Sequence, residues 1–194
     1  MSKKINGKSE KDQEILRWVY DPIADEVILY DIFPLFQKDK LKGRDWAIAE
    51  VLLKNFFLAL CDSLEISEPD VKYSSLGFPS EPTVVRYNTF DNTIYINKEY
   101  ERNFCELVFG IASALRLAWQ DEKISSWLSS LKRKSEISLE EFIFQESMID
   151  AIAYACLVIE LIFDMEVCPS SLGFSLDAIN ERKEYIYNEM LLEE

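Results

Sequence analysis

The sequence predicts an α+β fold in which helices dominate. Three observations carry that expectation. Apolar residues recur at helical spacing over most of the chain. One stretch, residues 83–97, switches to β-branched and aromatic residues around a turn. The chain has 194 residues, 48% hydrophobic and 29% charged, which suits one globular domain with a sizeable core. Residues 1–10 read as a flexible tail and 11–194 as that single domain.

The elements follow in order. Ser9 suits the cap of a first helix over residues 9–20, and Asp21-Pro22 places a cap before a proline at the first position of a second, to residue 33. Pro34 and the polar QKDKLKGRD run end it. Asp45 is expected to cap a helix over 46–63 whose apolar set is Ile48, Val51, Leu52, Phe56 and Leu60. Residues 65–82 are rich in Ser, Pro and Gly and read as a loop. Residues 83–87 and 93–97 then form a β-hairpin about the turn-like stretch 88–92. A helix is expected over 100–120, a polar connection with one short helical piece around Trp127 over 121–137, and a long apolar helix from the capping pattern at Ser138 to about Met165. Residues 168–174, with Pro169 and Gly173, make a turn, and Ser175 caps a last amphipathic helix ending near Leu192. No internal repeat or low-complexity segment is present.

Composition narrows the chemistry. Acids outnumber bases 35 to 21, for a formal charge of -14. That argues against nucleic-acid binding, which needs a basic face, and against anionic membranes. No apolar run reaches the length of a membrane span. The chain contains 0 histidines, so histidine triads, histidine acid–base work and His-ligated metals are excluded. Cys61, Cys105, Cys156 and Cys168 contain no C-x-x-C pair and read as free thiols. The N-terminus carries no secretory pattern, which points to the cytoplasm and leaves a non-Sec export route open.

One constellation is specific. Residues 111–120 read I-A-S-A-L-R-L-A-W-Q, and residues 148–155 read M-I-D-A-I-A-Y-A. In the order hairpin, helix, loop, helix, this resembles a family of small bacterial zinc metallopeptidase-like domains, the zincins. Their active-site helix often reads I-A-H-E-L-R-H-A-W-Q, and their next helix supplies a glutamate ligand in an E-x-D-A-x-A-F/Y context. The hairpin strand ending I-Y-I-N is also similar to the strand ahead of that helix. In such a motif two histidines at i and i+4 grip zinc from one helix face, and the glutamate between them takes a proton from the metal-bound water.

Here the four positions on which that chemistry depends differ. By the match, Ser113 and Leu117 stand at the histidines, Ala114 at the general base and Met148 at the glutamate ligand. Leucine has no lone pair, alanine has no proton to move, serine is a poor zinc ligand, and a thioether prefers softer metals. The resemblance therefore implies a zincin-like domain with a hairpin or small sheet beside the active-site-type helix, and a lost activity: no catalytic residue, no metal and no cofactor. It also implies that Leu117 and Met148 fill the former site with apolar volume. Arg116, Trp119, Gln120 and Asp150 are candidate cleft residues, with Arg116 and Asp150 placed to pair between the two helices.

The function expected on this basis is that of a pseudoenzyme that binds a protein or peptide, with the acidic surface favouring a basic partner. Two alternatives stay open. Carboxylates among Glu101, Glu106, Glu146, Asp150 and Glu160 could converge for non-zinc chemistry. The last helix, with Leu176, Ile179, Tyr185, Ile186, Met190 and Leu191, could dock the chain into a larger assembly or onto its own core.

Overall fold

The computed structural model describes residues 35, 41–74, 84–97, 103–124, 138–163, 165–167 and 173–192. The tail over 1–10, the helices expected over 9–20 and 21–33, the short piece around Trp127 and residues 168–172 of the following turn lie outside them. Within the described residues the fold is α+β and mostly helical, with four helices beside a three-stranded sheet. In chain order these are α1 (Arg44–Ser63), β1 (Asp70–Ser74), β2 (Val85–Asn88), β3 (Thr93–Asn97), α2 (Phe104–Glu122), α3 (Leu139–Phe163) and α4 (Leu176–Leu192).

Helix α1 corrects the expected cap. It starts after Gly43, whose φ of 55° lies in the left-handed region that glycine enters without steric cost. Asp45 sits inside the first turn, where its charge complements the helix N-terminus. The buried stripe is Ala49, Leu52, Leu53, Phe56, Phe57 and Leu60; Val51 faces outward instead. The helix closes with a Schellman pattern: the amide of Ile66 donates to Cys61 O at 3.1 Å and that of Glu65 to Asp62 O at 3.1 Å. Glu65 occupies the left-handed position, φ 50°, where glycine is usual.

The hairpin forms as β2 and β3, antiparallel, with Asn88 opposite Thr93 and Val85 opposite Ile96. The loop expected over 65–82 is corrected by β1, which pairs in parallel with β3 from Asp70 opposite Thr93 to Ser74 opposite Asn97. β1 is an edge strand with its first three residues exposed, so it carries little of the alternation that marks a half-buried strand. Its stability comes from a partner more than 20 positions downstream. β3 is central, and Thr93, Ile94, Ile96 and Asn97 are buried there.

Asn103 caps α2, its Oδ1 accepting from the amides of Cys105 (2.9 Å) and Glu106 (3.4 Å). Ser138 caps α3, its Oγ accepting from the amide of Glu141 at 3.1 Å. α3 is the central helix. Every residue in the run 151–159 is buried, so it has no polar face there and is covered from all sides. α2 and α4 pack against α3, α1 packs against α2, and β2 lies across α2. That crossing is close. A Cβ on Gly110 would fall 2.7 Å from both Cβ and Cγ2 of Val85, so glycine sets the distance between strand and helix. Among the described residues no helix is long and apolar enough to cross a membrane.

Candidate functional site

The α2–α3 register is set by polar contacts. Gln120 Nε2 donates to Ser147 O at 3.1 Å, and Arg116 Nε donates to Asp150 Oδ2 at 2.8 Å. The earlier α2 residue thus meets the later α3 residue, and the helices are antiparallel. Residues advance about 100° each around a helix. Leu117 is then about 100° on from Arg116 and Ser113 about 60° on, while Met148 is about 100° on from Ser147 and Phe144 about 60° on. In an antiparallel pair, equal offsets of the same sign turn to the same side. Ser113 and Leu117 therefore turn to one side of α2, and Phe144 and Met148 turn the same way on α3. Ser113, Leu117 and Met148 are half-buried and Phe144 is 63% exposed. Ala114 faces inward and belongs to the main hydrophobic core.

Beneath that side lies a buried ionic cluster. Asp150 is 0% exposed, and four donor contacts converge on its carboxylate. Arg116 supplies Nε to Oδ2 (2.8 Å) and Nη2 to Oδ1 (3.4 Å), Gln120 Nε2 reaches Oδ2 (2.8 Å), and Arg182 Nε of α4 reaches Oδ1 (2.6 Å). The Arg116 guanidinium lies 3.7 Å from the Trp119 ring centroid and 5.3 Å from that of Tyr154. The Arg182 guanidinium lies 4.5 Å from the Tyr185 ring centroid. Each arginine is thus covered by the aromatic ring three positions on.

Burial by itself would raise the Asp150 pKa. The Arg116 charge and hydrogen bond, followed by the Arg182 charge and the Gln120 hydrogen bond, override this and hold it below the ordinary carboxylate value. An anion so fully partnered has no proton to give at neutral pH and no free oxygen for a ligand. The cluster is therefore a clasp joining α2, α3 and α4. The pair expected between Arg116 and Asp150 forms, and Gln120 and Trp119 join it. Arg182 is not among the residues the sequence motifs mark. Its signal is its place between Ile179 and Ile186 on the apolar stripe of α4, where a solvated charge is out of place.

The other candidates disperse. Glu160 is engaged by Lys183 at 2.9 Å, a second tie between α3 and α4. Glu106 is exposed on the first turn of α2, Glu146 is half-buried on α3, and Glu101 lies outside the described residues. No group of three or more His, Cys, Asp or Glu side chains placed to hold a metal occurs among the described residues. Cys61 and Cys156 are buried, Cys105 is half-buried, and none of the three is in a disulfide. Ile179 and Ile186 anchor α4 in the chain's own core, while Leu176 and Tyr185 remain substantially exposed. No family model, no curated protein and no solved structure matches the chain.

Proposed function

We propose that the protein is a catalytically silent, zincin-like metallopeptidase relative that acts by binding a protein or peptide segment along the shared side of α2 and α3. What supports this reading is that Ser113 and Leu117 on α2 and Met148 on α3 turn to the same side of an antiparallel helix pair. Those are the positions that the resemblance assigns to three zinc ligands. A metal centre there would need lone pairs, and the chain offers leucine, a thioether and a hydroxyl instead. Ala114, at the general-base position, is core packing. Exposed Phe144, one turn before half-buried Met148 on α3, gives this side apolar contact area, and the formal charge of -14 favours a basic occupant. That the described cysteines carry thiols and not disulfides accords with a reducing, cytoplasmic setting.

The test restores the lost groups. Ser113→His, Leu117→His and Met148→Glu are introduced together, with and without Ala114→Glu, because Ala114 is buried and a glutamate there risks the fold. Zinc uptake near one ion per chain, read by elemental mass spectrometry of the folded triple variant, is the expected result. A folded triple variant that takes up no zinc would overturn the assignment of these positions, and stoichiometric zinc on the native chain would overturn the loss of the metal site.

A further inference from the structure

The turn between β2 and β3 presents one side chain that the fold does not use. Phe90 is 99% exposed. It occupies a connection where Gly, Asn, Asp and Ser normally serve, and it buries nothing on folding. An isolated exposed apolar residue on a floppy loop would mean little. This turn is held on both sides of Phe90.

The Phe90 amide donates to Asn88 Oδ1 at 3.2 Å. Asn92 adopts φ 46°, the left-handed conformation that asparagine tolerates. Thr93 Oγ1 donates to Asp91 O at 3.0 Å, and the Tyr95 hydroxyl donates to Asp91 Oδ2 at 2.8 Å. The Tyr87 hydroxyl is shared between Asn92 Oδ1 (3.1 Å) and Asp121 Oδ2 (3.2 Å), which ties the turn to the end of α2. Burial, then Asp121, pushes the Tyr87 pKa up to about 12, so the phenol remains a donor throughout the neutral range. On the other flank the Asp70 amide donates to Asn92 O at 3.0 Å. The backbone that carries Phe90 is preorganised, so little ordering entropy remains to be lost when the ring is buried by a partner.

The surroundings select the partner. Asp70, Asp91 and Asp121 all contact the turn and are exposed, and Glu122 follows Asp121. Among the described residues the cations near the turn are Lys72, whose Nζ reaches Thr93 Oγ1 at 3.5 Å, and Arg86, opposite Tyr95 in the hairpin. An aromatic side chain on a turn next to Asp91 and tied to Asp121, on a chain of formal charge -14, repels acidic surfaces and steers toward basic ones. A lipid surface is disfavoured, since the acids beside the ring would have to approach headgroups of like charge in anionic membranes.

We infer that the β2–β3 turn is a docking knob for a protein partner, Phe90 entering an apolar pocket rimmed by Lys or Arg side chains. This surface is separate from the α2–α3 side and does not depend on the reading of that side.

The test uses the full chain with the photo-crosslinker p-benzoylphenylalanine at position 90, expressed in its native host, and the same group at exposed Glu50 on α1 as a control. A protein crosslinked from position 90 and not from position 50 is purified, and its affinity is measured for the native chain and for Phe90→Ala. The expected result is a loss of about tenfold or more on Phe90→Ala, the scale of an interface hot spot, with an unchanged melting temperature. Affinity for the native chain should also fall as salt rises from about 0.05 to about 0.3 M, where opposite charges are screened. No crosslink above the control, equal affinity for both chains, or insensitivity to salt would overturn the proposal. So would Phe90-dependent binding to phosphatidylcholine vesicles, which would make the turn a membrane anchor, or Phe90-dependent dimerisation in light scattering.

Discussion

Arg116 Nε lies 2.8 Å from Asp150 Oδ2 in the interior, and the same carboxylate takes Arg182 Nε of α4 at 2.6 Å on its other oxygen. One buried anion therefore holds three helices in register. A carboxylate stripped of water is tolerable only while its donors stay in place, and removing it leaves buried Arg116 without its anion and facing Arg182 at the half-buried edge. Asp150→Ala is expected to lose about 3–5 kcal/mol of stability, measured by urea unfolding, the scale of a broken buried ion pair. Arg182→Ala, at the half-buried edge, should cost less and should loosen α4 first, read as faster amide exchange over residues 176–192.

The pH dependence follows from the direction of the Asp150 shift. Its pKa is held below the ordinary value of 3.8, so the folded state binds the proton more weakly than the unfolded chain does. That stabilisation is fully present above the unfolded value and is lost as pH falls through the folded one. The stability gap between the native chain and Asp150→Asn should stay constant from pH 7 to pH 5 and narrow below about pH 4. A gap that closed between pH 7 and pH 5 would place the Asp150 pKa above its ordinary value and contradict the clasp.

Gly110 sets two effects against each other. Alanine is favoured over glycine inside a helix by about 1 kcal/mol. Its Cβ, however, would stand 2.7 Å from two carbons of Val85, a stiff side chain on a paired strand. Overpacking of this kind costs about 1–3 kcal/mol, so Gly110→Ala should destabilise on balance. Adding Val85→Ala should recover most of the loss in a double-mutant cycle.

Glu65 holds the left-handed position that closes α1, φ 50°. A non-glycine residue there bears a cost of about 1–2 kcal/mol, partly offset by the extra freedom glycine gives the unfolded chain. Glu65→Gly should therefore raise stability by about 0.5–1 kcal/mol, visible as a higher urea midpoint at unchanged slope.

Tyr154 is fully buried, and its hydroxyl has at best a weak hydrogen bond, to the Ser63 side chain. Burial drives its pKa far above the ordinary phenol value, so the group stays a neutral phenol. Tyr154→Phe removes that group and keeps the ring beneath Arg116. Its stability should lie between no change and a gain of about 1 kcal/mol.

Cys61 is buried beside Asp62 and within the field of Glu68. Burial first, then these charges, pushes its thiol up to about 12. The thiolate is then scarce at pH 8, and alkylation by iodoacetamide should reach Cys61 only in denaturant, as read by peptide mapping. Rapid labelling of the native chain would mean that the C-terminal end of α1 opens without global unfolding.

Much of the fold is legible along the chain because it rests on local chemistry. The periodicity of α2 and α3, the Ser138 cap and the β2–β3 alternation are properties of neighbouring residues, and each element forms close to where the pattern places it. The partnership of Arg116 with Asp150 was also readable, since two opposite charges on apolar helix faces must find each other. Other features depend on contacts between distant segments. β1 exists through its pairing with β3, more than 20 residues away, and its exposed face hides the alternation. Gly110 looks like a weak point in a helix until Val85 is placed across it. Arg182 looks like a surface charge until α4 docks and brings it to Asp150.

For the candidate site the division is the same. Residue identity alone determined that the chain has no histidine to ligate zinc, and that Ser113, Ala114, Leu117 and Met148 carry neither a strong ligand nor a base. The packing of α2 against α3 decided that Asp150 is a sealed clasp between the helices, and it sets which way Ser113, Leu117 and Met148 turn. Chemical capacity belongs to each side chain and can be read one residue at a time. Juxtaposition is a property of helix register, which only the assembled core can set.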